Sequence, residues 1–111
     1  MADLSFLKKF TRGDEAKMKR YIRIYLQMAP DIFTRMQANL VEEDWASLAI
    51  NAHSLKPQAD YMGIIALKET LEKIENEVKE GKTDELPRLF ERAHQLHREA
   101  EAFLDAQVKQ L

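Results

Sequence analysis

His53 is the side chain best placed to do chemistry from the surface of this protein. Around it, Trp45, Leu48, Ala52, Leu55, Ala59 and Met62 recur at helical spacing. At about 100° per residue, His53 falls roughly 130° from the centre of that apolar stripe. Its imidazole therefore points away from the packed face, or stands at its edge. The neighbours one and two turns back, Ala49 and Ala46, are small, and Pro57 one turn on is compact. Lys56 places a cation one turn away, and Ile50 shows an apolar side chain on the same side. A reachable imidazole beside a cation is a nucleophile that could take an anionic group from another protein. The plainer alternative is a solvated surface histidine. His94 and His97 form an H-x-x-H pair, a spacing at which two imidazoles can share a metal. No Cys and no acidic cluster stands beside them. His97 lies near an apolar stripe and His94 towards a rim, so both read as structural or surface residues. A metal-binding bundle is the remote alternative.

Positioning His53 requires a helix, and the chain is built to make helices. It has 111 residues, enough for one domain with a buried core, with three Gly, three Pro and no Cys. So few turn formers disfavour an all-β fold. The lack of Cys excludes a disulfide framework, a thiolate zinc site and a Cys nucleophile. Gly13, Gly63 and Gly81 are too far apart in sequence to build a phosphate-binding loop, so no kinase ATP site is expected. With 17 basic against 19 acidic residues, the charge balance gives no reason to expect nucleic-acid or membrane binding. No apolar run approaches a membrane span and no signal-peptide pattern opens the chain. A cytoplasmic protein is the expectation, and a free-standing one is favoured over a piece cut from a larger chain.

Four apolar stripes at steps of three and four run through residues 18–40, 45–62, 64–78 and 86–108. They cover one another most simply as an all-α, antiparallel four-helix bundle, residues 1–111 forming a single domain. Gly13-Asp14 should open the first long helix, with Pro30 kinking or breaking it. Asp44 should cap the His53 helix, Gly63 separate the second and third stripes, and Gly81 stop the third. Thr83-Asp84 with Pro87 reads as the first turn of the last helix. Leu4, Phe6, Leu7 and Phe10 suggest a short N-terminal capping helix.

The run Ala52-His53-Ser54-Leu55-Lys56-Pro57-Gln58-Ala59-Asp60-Tyr61-Met62-Gly63 resembles the signature of histidine-containing phosphotransfer (HPt) domains, A-H-x-L-K-G with a further Gly six residues on. The likeness covers nearly the whole chain, and the bundle is that family's fold. It implies that His53 is the phospho-acceptor of a multistep phosphorelay. The phosphoryl group would pass between His53 and an Asp of a response-regulator receiver domain. The receiver, or a hybrid histidine kinase carrying one, supplies the divalent metal. This chain then needs no cofactor and acts as a phosphohistidine carrier rather than a stand-alone enzyme.

Lys56 matches the motif lysine and could offset phosphoryl charge. Glu75 follows from counting: His53 lies ten residues before Gly63, so its antiparallel partner falls within a turn of position 73. A carboxylate there could accept from the Nδ1–H and leave Nε2 free. Some HPt domains have a Glu in this place. Lys79, on the same flank, is a weaker phosphoryl contact, and a Glu75–Lys79 surface pair is the bland alternative. Pro57 departs from the family's Gly: it removes the helical donor of the His53 carbonyl. Gln58 could turn its amide towards the site. A receiver is expected to dock over Ala46, Ala49 and Ile50 together with Phe6, Leu7 or Phe10, on a monomer. Pro57 also permits a rival reading, a non-phosphorylated adaptor that binds a receiver or other signalling partner on the same fold.

Overall fold

The computed structural model describes residues 1–111. The protein is all-α, with five helices: α1 (Ser5–Phe10), α2 (Glu15–Glu42), α3 (Trp45–Tyr61), α4 (Ile65–Lys79) and α5 (Leu86–Gln110). α2 packs on α3, α3 on α4, α4 on α5, and α5 closes back on α2. The four long helices thus form an antiparallel bundle in chain order, and the stripes meet at its axis. Ile22, Tyr25 and Met36 from α2, Leu48 and Leu55 from α3, Leu67, Leu71 and Ile74 from α4, and Leu86, Ala93 and Leu104 from α5 are fully buried. Each large aliphatic side chain removed from water stabilises the fold by about 1.5–3 kcal/mol before entropy is counted.

Helix ends follow local chemistry. The carboxylates of Asp14 and Asp44 accept from the backbone N–H of Lys17 (3.1 Å) and Ser47 (3.2 Å), capping α2 and α3. Two expectations need correction. Pro30 does not break α2, which runs unbroken from Glu15 to Glu42. Pro30 is solvent-exposed, so water can satisfy the Leu26 carbonyl that has lost its donor. The last helix starts later than Thr83-Asp84. A turn closed by the Leu86 N–H on the Thr83 carbonyl (3.2 Å) comes first, and Pro87 sits in the opening turn of α5. Proline is tolerated there because first-turn N–H groups have no intrahelical partner.

α1 is fastened to the α3–α4 junction. The N–H of Asp3 donates to the Met62 carbonyl (3.2 Å), and the Asp3 carboxylate accepts from both the N–H and the hydroxyl of Ser5. Gly63 makes this approach possible: it has φ +67°, and a Cβ there would overlap the carbonyl of Asp3. Leu7 is 1% exposed and anchors the helix in the core. Phe6 and Phe10 stay outside, stacked against Tyr61, with Phe10 also edge-on to Tyr21. Gly63→Ala is therefore expected to strain the left-handed backbone by about 1–2 kcal/mol and to loosen α1. The checks are a lower melting temperature and faster amide exchange confined to residues 2–10. Unchanged exchange there would show that α1 holds by other means.

On the α2–α5 side, burial pushes the Tyr25 phenol well above its ordinary range, helped by the charge of Glu101. Tyr25 therefore keeps its proton and donates to His97 Nδ1 (2.8 Å). His97 Nε2 then faces Glu101 at 3.4 Å. His97 is buried, and its burial lowers its pKa against the opposing pull of Glu101. Below about pH 6.5, the ordinary imidazole value, the unfolded chain takes up a proton that the folded chain resists. Stability is thus full above that pH and falls as pH drops below it. Denaturant midpoints are expected to decline between pH 7.5 and 5.5, and His97→Gln to flatten that slope. An unaltered slope would mean that other groups set it.

Candidate functional site

His53 on α3 and Glu75 on α4 meet side chain to side chain between the two helices. His53 is two-thirds exposed, and its Nδ1 lies 2.9 Å from Glu75 Oε2. An ionised carboxylate can only accept, so Nδ1 carries the proton and donates. Nε2, across the ring, is left without a partner and faces solvent. The Glu75 carboxylate is otherwise enclosed, with 9% of its side chain exposed. Its second oxygen, Oε1, accepts from Lys56 Nζ at 2.9 Å, and Lys79 Nζ stands 3.7 Å from Oε2.

Burial alone would raise the Glu75 pKa. The hydrogen bonds from Lys56 and His53, and the charges behind them, outweigh it and hold the carboxyl below its usual range. Glu75 is therefore a fixed negative charge under the imidazole. Two lysines offset it, and neither ammonium is consumed by one contact: each has three N–H donors.

Pro57 sits inside α3, which continues through it to Tyr61. Its ring is exposed, and it offers no N–H to the His53 carbonyl. Ala46 and Ile50 are exposed and Ala49 is half-buried, so small and apolar surface adjoins the imidazole. Ser54 turns its hydroxyl back to the Ile50 carbonyl (3.0 Å) and away from the ring.

Three expected site residues lie elsewhere. Leu7 is in the core and offers no docking surface; in a six-residue helix only one side can face the bundle, and Leu7 takes it. Gln58 is five residues past His53, about 140° further round the helix, and is aimed away from the imidazole. Gly63 acts at the α1 junction, about 15 Å along α3 from His53. Of the distant histidines, His97 engages Tyr25 and Glu101, and the His94 ring stacks on Phe33 at 5.0 Å. No three His, Cys, Asp or Glu side chains gather where they could hold a metal ion.

The structure adds Tyr61, which the sequence reading passed over. It is 40% exposed and stacks on Phe6 at 6.0 Å between centroids. His53, Pro57 and Tyr61 recur at four-residue steps, a spacing that could have placed all three on one side of α3. The exposed strip from Ala46 through Ile50, His53 and Pro57 ends on the aromatic cluster of α1. No helix is long and apolar enough to cross a membrane.

In comparisons with known proteins, the family model described as the Hpt domain matches residues 20–108. No curated protein and no solved structure matches the chain.

Proposed function

Since the chain belongs to the Hpt domain family, we propose that it is a phosphorelay intermediate of two-component signalling with His53 as its phospho-acceptor. The lone pair of Nε2 attacks the phosphorus of a receiver's aspartyl phosphate. The N–P bond forms as the P–O bond to the aspartate breaks, and the carboxylate leaves on the receiver. The Nδ1 proton stays in its hydrogen bond to Glu75, whose negative charge balances the positive charge the ring acquires. Lys56 and Lys79, held beside the same carboxylate, offset the phosphoryl oxygens. The reverse step hands the group to a second receiver. The receiver supplies the divalent metal and the leaving group; this chain supplies the nucleophile and its setting, as one cytoplasmic domain.

The observation that carries this reading is the 2.9 Å contact from His53 Nδ1 to Glu75, which directs the free nitrogen outward. Transfer from a radiolabelled, phosphorylated receiver should put acid-labile, base-stable label on the chain. A chain that no cognate receiver labels would overturn the reading. Pro57, where the family signature has Gly, supports the second reading of a receiver-binding adaptor that carries no phosphoryl group; receiver binding without label is its signature.

A further inference from the structure

The seam between α2 and α5 holds polar chemistry that phosphoryl transfer does not use. A cleft of about 360 Å³ opens there, on the side of the bundle opposite the α3–α4 contact that carries His53. Its size is at the lower end of small-molecule clefts. α2 lends it only neutral groups, Pro30, Phe33, Thr34 and Gln37. The charges stand on α5, where Arg98 and Glu101 act on both His94 and His97, and Glu91 reaches His94 alone. Arg98 and Glu101 are about one turn apart, near enough to pair, yet they part. The Arg98 Nη2 donates to Gln95 Oε1 (2.9 Å), while Glu101 lies beside His97.

The floor of the cleft is a buried donor with a fixed direction. His97 has 3% of its side chain exposed. Tyr25 is wholly buried, and the acceptor its hydroxyl reaches is His97 Nδ1. Nδ1 therefore accepts, and the neutral ring carries its own proton on Nε2. The inner partner thus aims an N–H outward at the cleft. There it meets Glu101 at 3.4 Å, longer than an ordinary N–H···O bond, which leaves it open to a closer acceptor.

We propose that this cleft binds a small zwitterion, a free α-amino acid with an apolar or aromatic side chain. Its carboxylate accepts from Arg98 and from the Nε2–H of His97, and its ammonium donates to Glu101. Its side chain lies along Pro30 and the outer face of the His94 ring, whose inner face stacks on Phe33 at 5.0 Å. A plain anion is opposed by Glu101 and a plain cation by Arg98; a molecule carrying both charges on neighbouring groups satisfies the two. The site is separate from His53 and does not depend on whether the chain carries a phosphoryl group.

L-Phenylalanine, titrated into the nitrogen-15-labelled chain, is expected to saturate with a Kd of about 1 mM, in keeping with a dozen heavy atoms in an open cleft. The shifted signals should fall in residues 30–37 and 94–101 and include the Nε2–H of His97, with the His53 ring unmoved. Phenylpropionate, which lacks the ammonium, and phenethylamine, which lacks the carboxylate, should each bind about tenfold more weakly. Glu101→Gln should erase the preference for L-phenylalanine over phenylpropionate, and Arg98→Gln the preference over phenethylamine. Neither side chain is buried, and unchanged amide dispersion in both variants checks that the fold stands. Arg88→Gln, near the start of α5, should bind as the unaltered chain does. No saturable shift, equal binding of the three compounds, or shifts confined to the strip around His53 and Tyr61 would each overturn the proposal. None of these results bears on labelling of His53, which is measured separately.

Discussion

His53→Gln is expected to reduce acid-labile label on the chain to background while leaving the fold intact. The glutamine amide can still donate to Glu75, but it has no nucleophilic nitrogen. The position is two-thirds exposed, so the stability change should stay within about 0.5 kcal/mol. No other histidine can substitute. His97 is 2% exposed with both nitrogens facing partners, and His94 is half-buried against Phe33. Label from a phosphorylated receiver, read beside circular dichroism of the variant, checks this directly. Label that persists in the variant would move the acceptor away from α3.

The second large effect is expected at Glu75. Removing the carboxylate in Glu75→Ala frees the imidazole to exchange its two neutral tautomers and to rotate, so only part of the population presents Nε2 outward. Groups that orient a functional imidazole through its far nitrogen are typically worth 10–100-fold, and transfer at saturating receiver should slow by about that factor. Glu75→Gln keeps an acceptor oxygen for the Nδ1–H but loses the charge, so it should fall between the two. The bundle should survive either change, because Lys56 and Lys79 can turn their ammonium groups to water. Nitrogen-15 chemical shifts of the His53 ring separate orientation from general loosening. The unaltered chain should show one dominant Nδ1–H tautomer, Glu75→Ala a mixture. An unchanged rate with an unchanged tautomer would remove Glu75 from the site.

The bundle was largely legible in the sequence because its helices are long. Over four or five turns a stripe such as Met18, Ile22, Tyr25, Ala29, Ile32 and Met36 leaves only one side to bury. The same regularity allowed residues to be counted outward from Gly63, which brought Glu75 within a turn of the position opposite His53. α1 is too short for such a period. Leu7, Phe6 and Phe10 look equivalent in sequence, and only docking against the Gly63 junction sends one in and two out. Pairings across helices were hidden for another reason. Lys56 reaching Glu75, or Tyr25 reaching a histidine 72 residues away, depends on how far each helix is rotated, and one sequence does not encode that locally. Pro30 misleads as a possible break, because α2 runs unbroken through it. A lone missing hydrogen bond on the solvent side is tolerated when the opposite face of the helix is well packed.

The openness of His53 also bears on time. A phosphoryl group carried on an imidazole this exposed is surrounded by bulk water, with no wall to shield it. Its lifetime is then set by the solution chemistry of the P–N bond, which is short in acid and long in base. The chain would work as a reservoir whose leak rate follows the surrounding pH. Rapid emptying, where a cell requires it, would have to come from the next protein that meets it.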